Sequence, residues 1–142
     1  MNSFVFYKVE RRFIKGREYL RTNAKFYAVD VAMRYYLLGN KGADSGHLLE
    51  NVVYLELLRR GYKVYIGKVG DKEIDFVAEN INGTEYYQVA ETVRGKETVL
   101  REILPLNVIN DHYPKFILTR DYEPNIIHNG IRQLNVLEWL LG

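Results

Sequence analysis

Asp75 stands in the run Glu73-Ile-Asp-Phe-Val77, with apolar neighbours on both sides. A carboxylate in the middle of a strand that otherwise favours burial costs stability unless it is paired, opens on a groove or binds a metal. Downstream, Asn82-Gly83 is the favoured pair for a two-residue type I′ hairpin turn between Glu73–Glu79 and Glu85–Ala90. With those two residues as the turn, Ile81 faces Thr84, Val77 faces Gln88 and Asp75 faces Ala90. Opposed residues share one face of a sheet, so Asp75, Gln88 and Ala90 are expected together, with Ile74, Phe76, Tyr87 and Val89 on the core side. Glu50 adds a second carboxylate from the preceding helix, bracketed by Leu49 and Val52, with His47 and Tyr54 one turn away on either side. The simple structural alternative for Asp75 is an ion pair with Lys68 or Lys72. His47, His112 and His128 lack metal-ligand spacing, and Tyr86 and Tyr87 read as sheet packing rather than as a base-stacking platform.

The elements that must position these groups follow from local pattern. A helix begins after Asp44 or Ser45, shows a broad apolar surface from Leu48 to Leu58 and stops at Gly61 behind Arg59-Arg60. Strands are expected at Tyr62–Ile66, at the two arms of the hairpin, and at Phe116–Thr119. A second helix over Glu97–Asn110 is interrupted at Pro105, and the chain closes with a short strand at Leu134–Val136 and a short helix at Leu137–Leu141. Further upstream, Lys25–Val29 reads as a short strand and Val31–Leu38 as a helix ended by Gly39. This order predicts an α/β domain: a mixed central sheet with an antiparallel hairpin, flanked by helices.

With 142 residues, 47% of them hydrophobic, the chain is long enough for one domain with a sizeable core and is not of disordered composition. It has no cysteine, which excludes disulfide scaffolds, thiol nucleophiles and cysteine-based metal centres. No apolar run is long enough to span a bilayer, and Met1–Glu10 lacks the apolar stretch of a signal peptide, so a cytoplasmic protein without membrane contact is expected. The net charge of +2 is unevenly spread: Lys8, Arg11, Arg12, Lys15, Arg17, Arg21 and Lys25 outweigh Glu10 and Glu18 in the first 25 residues. Such a segment is a solvated basic surface or a contact for phosphates or an acidic partner. Phe4, Phe6, Tyr7 and Phe13 suit contact with a partner domain better than contact with water.

The order of a helix with Glu50, a strand with Glu73-Ile-Asp75-Phe and a strand with Tyr87-Gln-Val-Ala90 resembles the PD-(D/E)xK nuclease superfamily. More closely, the chain resembles the C-terminal domain, of unknown function, of a prokaryotic AAA-type ATPase family. The stretches that carry this resemblance include Lys25-Phe-Tyr-Ala-Val-Asp30, Gly46-His-Leu-Leu-Glu-Asn-Val-Val-Tyr-Leu-Glu-Leu-Leu-Arg-Arg-Gly61, Val64-Tyr-Ile-Gly-Lys68, Tyr113-Pro-Lys115 and Gly130-Ile-Arg.

The resemblance implies a restriction-endonuclease-like core over residues 41–142, with residues 1–40 an extension or the junction to an ATPase part. It places Asp75 at the motif aspartate, Glu50 at the helix glutamate and Gln88 at the motif glutamate, as catalytic groups and as ligands of a Mg²⁺ ion that would polarise a phosphate and activate water. Ala90 stands where the motif has its lysine, and Lys72 or Lys96 are the candidates for a migrated cation. Glu91 would need a bulge to join Asp75. No G-x-x-x-x-G-K-[ST] occurs, so any ATPase activity lies outside these residues. The expected function is a nuclease-like module that engages DNA or a partner through a degenerate or weak site. The alternatives are an active Mg²⁺-dependent DNA endonuclease and a non-catalytic oligomerisation domain.

Overall fold

In the computed structural model, residues 6–15, 19–28, 45–123 and 126–142 are described. The helix expected at Val31–Leu38 and the cap at Asp44 lie outside them. Eight strands form one mixed sheet: β1 (Phe6–Phe13), β2 (Tyr19–Ala28), β3 (Lys63–Val69), β4 (Lys72–Asn80), β5 (Gly83–Val89), β6 (Lys115–Thr119), β7 (Ile126–His128) and β8 (Ile131–Asn135). Their order across the sheet is β2-β1-β3-β4-β5-β6-β8-β7. The pairs β1·β3, β5·β6 and β6·β8 are parallel, and the others are antiparallel. Among the described residues there are three helices: α1 (Ser45–Arg59), α2 (Lys96–Asn107) and α3 (Val136–Leu141). Within residues 1–40, expected as an extension or a junction, β1 and β2 are hydrogen-bonded into the same sheet as the hairpin.

Both faces of the sheet are covered. On one face Val53, Tyr54 and Leu57 of α1 pack with Tyr27, Ile66, Phe76, Tyr87, Val89 and Leu118. On the other, Ile103 and Leu106 of α2 pack with Tyr65, Ile74, Val77, Tyr86 and Ile117. Adjacent residues of β6, Ile117 and Leu118, are both fully buried on opposite sides, which accounts for its unbroken apolar run.

The end of α1 is as expected. Gly61, at φ +88°, lets its own N–H reach the Leu58 carbonyl and the Tyr62 N–H reach that of Leu57, which closes the last turn. α2 ends three residues short of the expected Asn110, with Pro105 inside its final turn. Asn135 caps α3 by accepting the Glu138 N–H at 3.1 Å.

Two expectations about the hairpin need correction. The turn residues are Ile81 and Asn82, with Asn80 paired to Gly83 and Phe76 to Tyr87, so Asp75 lies opposite Gln88 rather than Ala90. Neither turn residue has the positive φ that type I′ demands. The Asn80 side chain instead accepts the Asn82 N–H at 2.8 Å, and Gly83 takes the left-handed conformation at φ +137°. The shift is two residues, so each side chain keeps its face of the β4·β5 ladder. Ile74, however, joins the α2 side with Val77, away from Phe76. The register with β3 slips between Tyr65↔Val77 and Gly67↔Ile74, so that Asp75 and Phe76 together oppose Ile66. This β-bulge falls on the candidate aspartate and re-aims it.

Gly67 lies beside the bulge because a larger residue does not fit. A Cβ there would come within 2.8 Å of Val77 Cγ2, 2.9 Å of Ile14 Cδ1 and 3.1 Å of Ile74 Cβ. Gly67→Ala is expected to destabilise the fold by about 1–3 kcal/mol through overpacking. Chemical denaturation of the variant, with an unchanged slope and a lower midpoint, checks it.

Candidate functional site

Glu50 projects from the same stripe of α1 as Val53, Tyr54 and Leu57, so burying the apolar face carries the carboxylate onto the sheet. It arrives above β2, whose alternation places Lys25 and Tyr27 on one face, in register with Val9 and Tyr7 of β1. The Tyr27 hydroxyl donates a short hydrogen bond to Glu50 Oε1, and Lys25 Nζ lies 3.4 Å from the same oxygen. Tyr27 stacks on Tyr54 with ring centroids 4.7 Å apart and packs against Phe76 at 5.5 Å, so its hydroxyl is held by an aromatic cluster. Lys25 Nζ is also 3.3 Å from Glu73 Oε1, and Arg11 Nε holds the other oxygen of Glu73 at 2.9 Å.

Asp75 and Gln88 meet where the β4·β5 ladder gives out. Beyond Phe76↔Tyr87, side chains replace main-chain pairing: Gln88 Oε1 accepts the Asp75 N–H at 2.7 Å, and Asp75 Oδ2 accepts the Val89 N–H at 2.8 Å. Gln88 Nε2 leans toward the Glu102 carbonyl of α2 at 3.4 Å. Glu50, Asp75 and Gln88, expected together, are therefore brought to one region from α1, β4 and β5.

The electrostatics follow from that assembly. Desolvation first, and then the negative charge of Glu50, raise the pKa of Asp75, against the opposing pull of the Val89 N–H and Lys25. Burial alone would lower the Lys25 pKa, but Glu50, Asp75 and Glu73 together hold it above its ordinary value. Glu73 is burdened by burial yet ends below the usual carboxylate range because Arg11 and Lys25 bind it. Glu102, on α2, is raised by burial, with Glu50 contributing. It is a fourth acid at this centre that sequence reasoning did not single out.

The lysine is the main surprise. Lys72 pairs with Asp71 at 3.4 Å, and Lys96 is exposed at the start of α2, so neither serves as the migrated cation. Glu91 is tied to Arg120 at 2.9 Å. Among the described residues, the lysine at the acidic centre is Lys25, with Arg11 beside it on Glu73. Its signal was present, since Lys25-Phe-Tyr-Ala-Val alternates as a strand and puts Lys25 beside Tyr27. Nothing local, however, said that this strand would lie within reach of Glu50 and Glu73. The basic N-terminal segment is correspondingly less free than its charge suggested: Arg11 is bound to Glu73 and Arg12 to Glu79 at 2.8 Å.

The donor set fits a divalent ion poorly. Among the described residues, no three His, Asp or Glu side chains are grouped as metal ligands. The third expected ligand, Gln88, is neutral and its amide oxygen already ties down the Asp75 main chain. Glu50 Oε1 is shared by a hydroxyl and an ammonium. Among the described residues no helix is long and apolar enough to cross a membrane.

No family model matches this chain, and no solved structure matches it. It is 41% identical over 140 residues, 99% of its length, to an uncharacterised protein of Haemophilus influenzae. The chain spans about a third (34%) of the length of that relative.

Proposed function

We propose that the chain is a restriction-endonuclease-like module of a larger ATPase-containing protein, which engages DNA through a nuclease-derived surface and has a degenerate catalytic centre. One observation carries this reading: Glu50, Asp75 and Gln88 converge from three elements at a β-bulge, where the β4·β5 ladder gives way to side-chain hydrogen bonds and two acids come close enough to raise the pKa of Asp75. An aspartate at a bulge, bridged to a buried glutamine, is costly as scaffold and reasonable as the remnant of a phosphate-handling site. The loss of two groups supports a weak or absent cleavage step. Gln88 contributes no charge to a metal, and Ala90 supplies no ammonium to a developing oxyanion.

The test is a binding and cleavage assay on linear and branched DNA with Mg²⁺ or Mn²⁺, on the native chain and Asp75→Ala. Binding that weakens steeply with salt, with no cleavage by either protein, is expected. Cleavage that disappears in Asp75→Ala would instead make the chain an active nuclease, and neither binding nor cleavage would leave it a scaffold.

A further inference from the structure

We propose that the open face of the β1·β2 ribbon is a binding surface for single-stranded nucleic acid, on which Phe6 and Phe26 stack bases and Lys8 meets the phosphates. Tyr7, Val9, Lys25 and Tyr27 point to the α1 side of this ribbon, so strand alternation sends Phe6, Lys8 and Phe26 to the other. The helix on that other side, α2, packs on β4, β5 and β6, and among the described residues its core cluster takes no side chain from β1 or β2. Phe6 is 56% exposed and Phe26 59%. Phe6 pairs with Ala28 and Lys8 with Phe26, which makes the two rings diagonal neighbours with backbones about 7–8 Å apart.

A single exposed apolar residue is ordinary, but two adjacent aromatic faces on a polar ribbon mark a contact. The charge selects the partner. Residues 6–28 hold seven Lys and Arg against Glu10 and Glu18. Arg11, Arg12 and Lys25 are matched by Glu73, Glu79 and Glu50. Lys15, at the β1–β2 turn, is exposed, and so is Lys8, directly opposite Phe26, whose ion partner among the described residues is an exposed Glu10 at 3.8 Å. Two such ribbons brought face to face would oppose like charges, which disfavours a second copy. A polyanion that also offers flat π surfaces satisfies both halves of the patch. A single strand does so, whereas a duplex keeps its base faces stacked inside.

The surface lies on the opposite face of β2 from Lys25 and the acidic centre. It rests on exposure, pairing and charge in the ribbon, not on the nuclease-derived surface proposed above. Binding of a fluorescent oligothymidylate by the full chain, followed by anisotropy over a range of salt, tests it, beside a duplex of the same length and polyglutamate as a charge-only probe. The variants are Phe6→Ala, Phe26→Ala, Phe26→Trp and Lys8→Gln, with Tyr122→Ala as the control, since Tyr122 is an exposed aromatic on the far side of the sheet order, after β6.

The native chain is expected to bind the oligothymidylate more tightly than the duplex. Phe6→Ala and Phe26→Ala should each weaken that binding about tenfold while melting within about 2 °C of the native chain. Phe26→Trp should retain it, with the added indole emission quenched on binding, and Lys8→Gln should lower the salt slope by about 0.7. Tyr122→Ala should bind as the native chain does. Single-strand binding of this kind without any duplex binding would count against the function proposed above and leave this surface standing. A native chain that does not bind the oligothymidylate, or binds polyglutamate equally well, overturns the proposal, as does an affinity indifferent to both phenylalanines. Self-association that Phe26→Ala abolishes, without oligothymidylate binding, overturns it in favour of a contact between copies.

Discussion

Phe76→Ala is expected to lower stability by about 3–5 kcal/mol, the largest effect of any single truncation near the site. The ring is fully buried on the α1 side of the sheet, packed against Tyr27 at 5.5 Å and Tyr54 at 5.9 Å. Removing it takes away apolar contact and leaves a cavity at the point where the bulge presents Asp75, and the surroundings cannot close it without moving the Tyr27–Tyr54 stack. A melting temperature lower by roughly 10 °C follows for a chain of this size. The control is Phe26→Ala on the opposite face of β2, where the side chain is 59% exposed and a change within about 0.5 kcal/mol is expected. Urea titrations that moved both variants equally would show that the aromatic cluster does not anchor this region.

Asp75→Asn carries the second large effect, and its sign depends on pH. In the folded chain, desolvation and the neighbouring Glu50 raise the Asp75 pKa above its unfolded value. Between the two values the folded state holds a proton that the unfolded chain has released. Native stability from this group is therefore greatest at or below the ordinary carboxylate range and falls as pH rises through the window, by up to roughly 1.4 kcal/mol per pH unit. Asparagine keeps an oxygen to accept the Val89 N–H and cannot ionise, so the variant should lose that decline and become more stable than the native chain at alkaline pH. Unfolding free energies measured across neutral pH check this. A native curve that rises with pH, with no advantage for Asp75→Asn, would mean that Lys25 and the Val89 N–H dominate the carboxylate.

The two cases also mark how far local pattern reaches. The faces of the hairpin were legible because strand alternation has a period of two. The two-residue shift of the turn, from Asn82-Gly83 to Ile81-Asn82, left Gln88 beside Asp75 regardless. The exception, Ile74, failed for a reason outside β4 and β5: the bulge is set by how β3 pairs, with Gly67 allowing the close approach. Glu50 was singled out as a carboxylate bracketed by Leu49 and Val52 and by the nuclease resemblance; that it faces the sheet, on the stripe of Val53, Tyr54 and Leu57, is what the structure added. Glu102 was missed because a glutamate in the amphipathic pattern of α2 looks like any solvated one until the Asp75 side of the sheet is placed above it.

What the sequence by itself determined is therefore the local order: α1 and its glycine stop, the faces of the hairpin, and the α/β alternation. Each depends on contacts between residues a few positions apart, through helical or strand periodicity and turn chemistry. Only the tertiary structure decided that a lysine from β2 completes the acidic centre. Lys25 is 25 residues from Glu50 and 48 from Glu73, and it reaches both because β1 pairs in parallel with β3 and brings β2 alongside. Non-local strand pairing of that kind depends on burying Val9 and Tyr27 against α1. No periodicity within either segment encodes the closure between them.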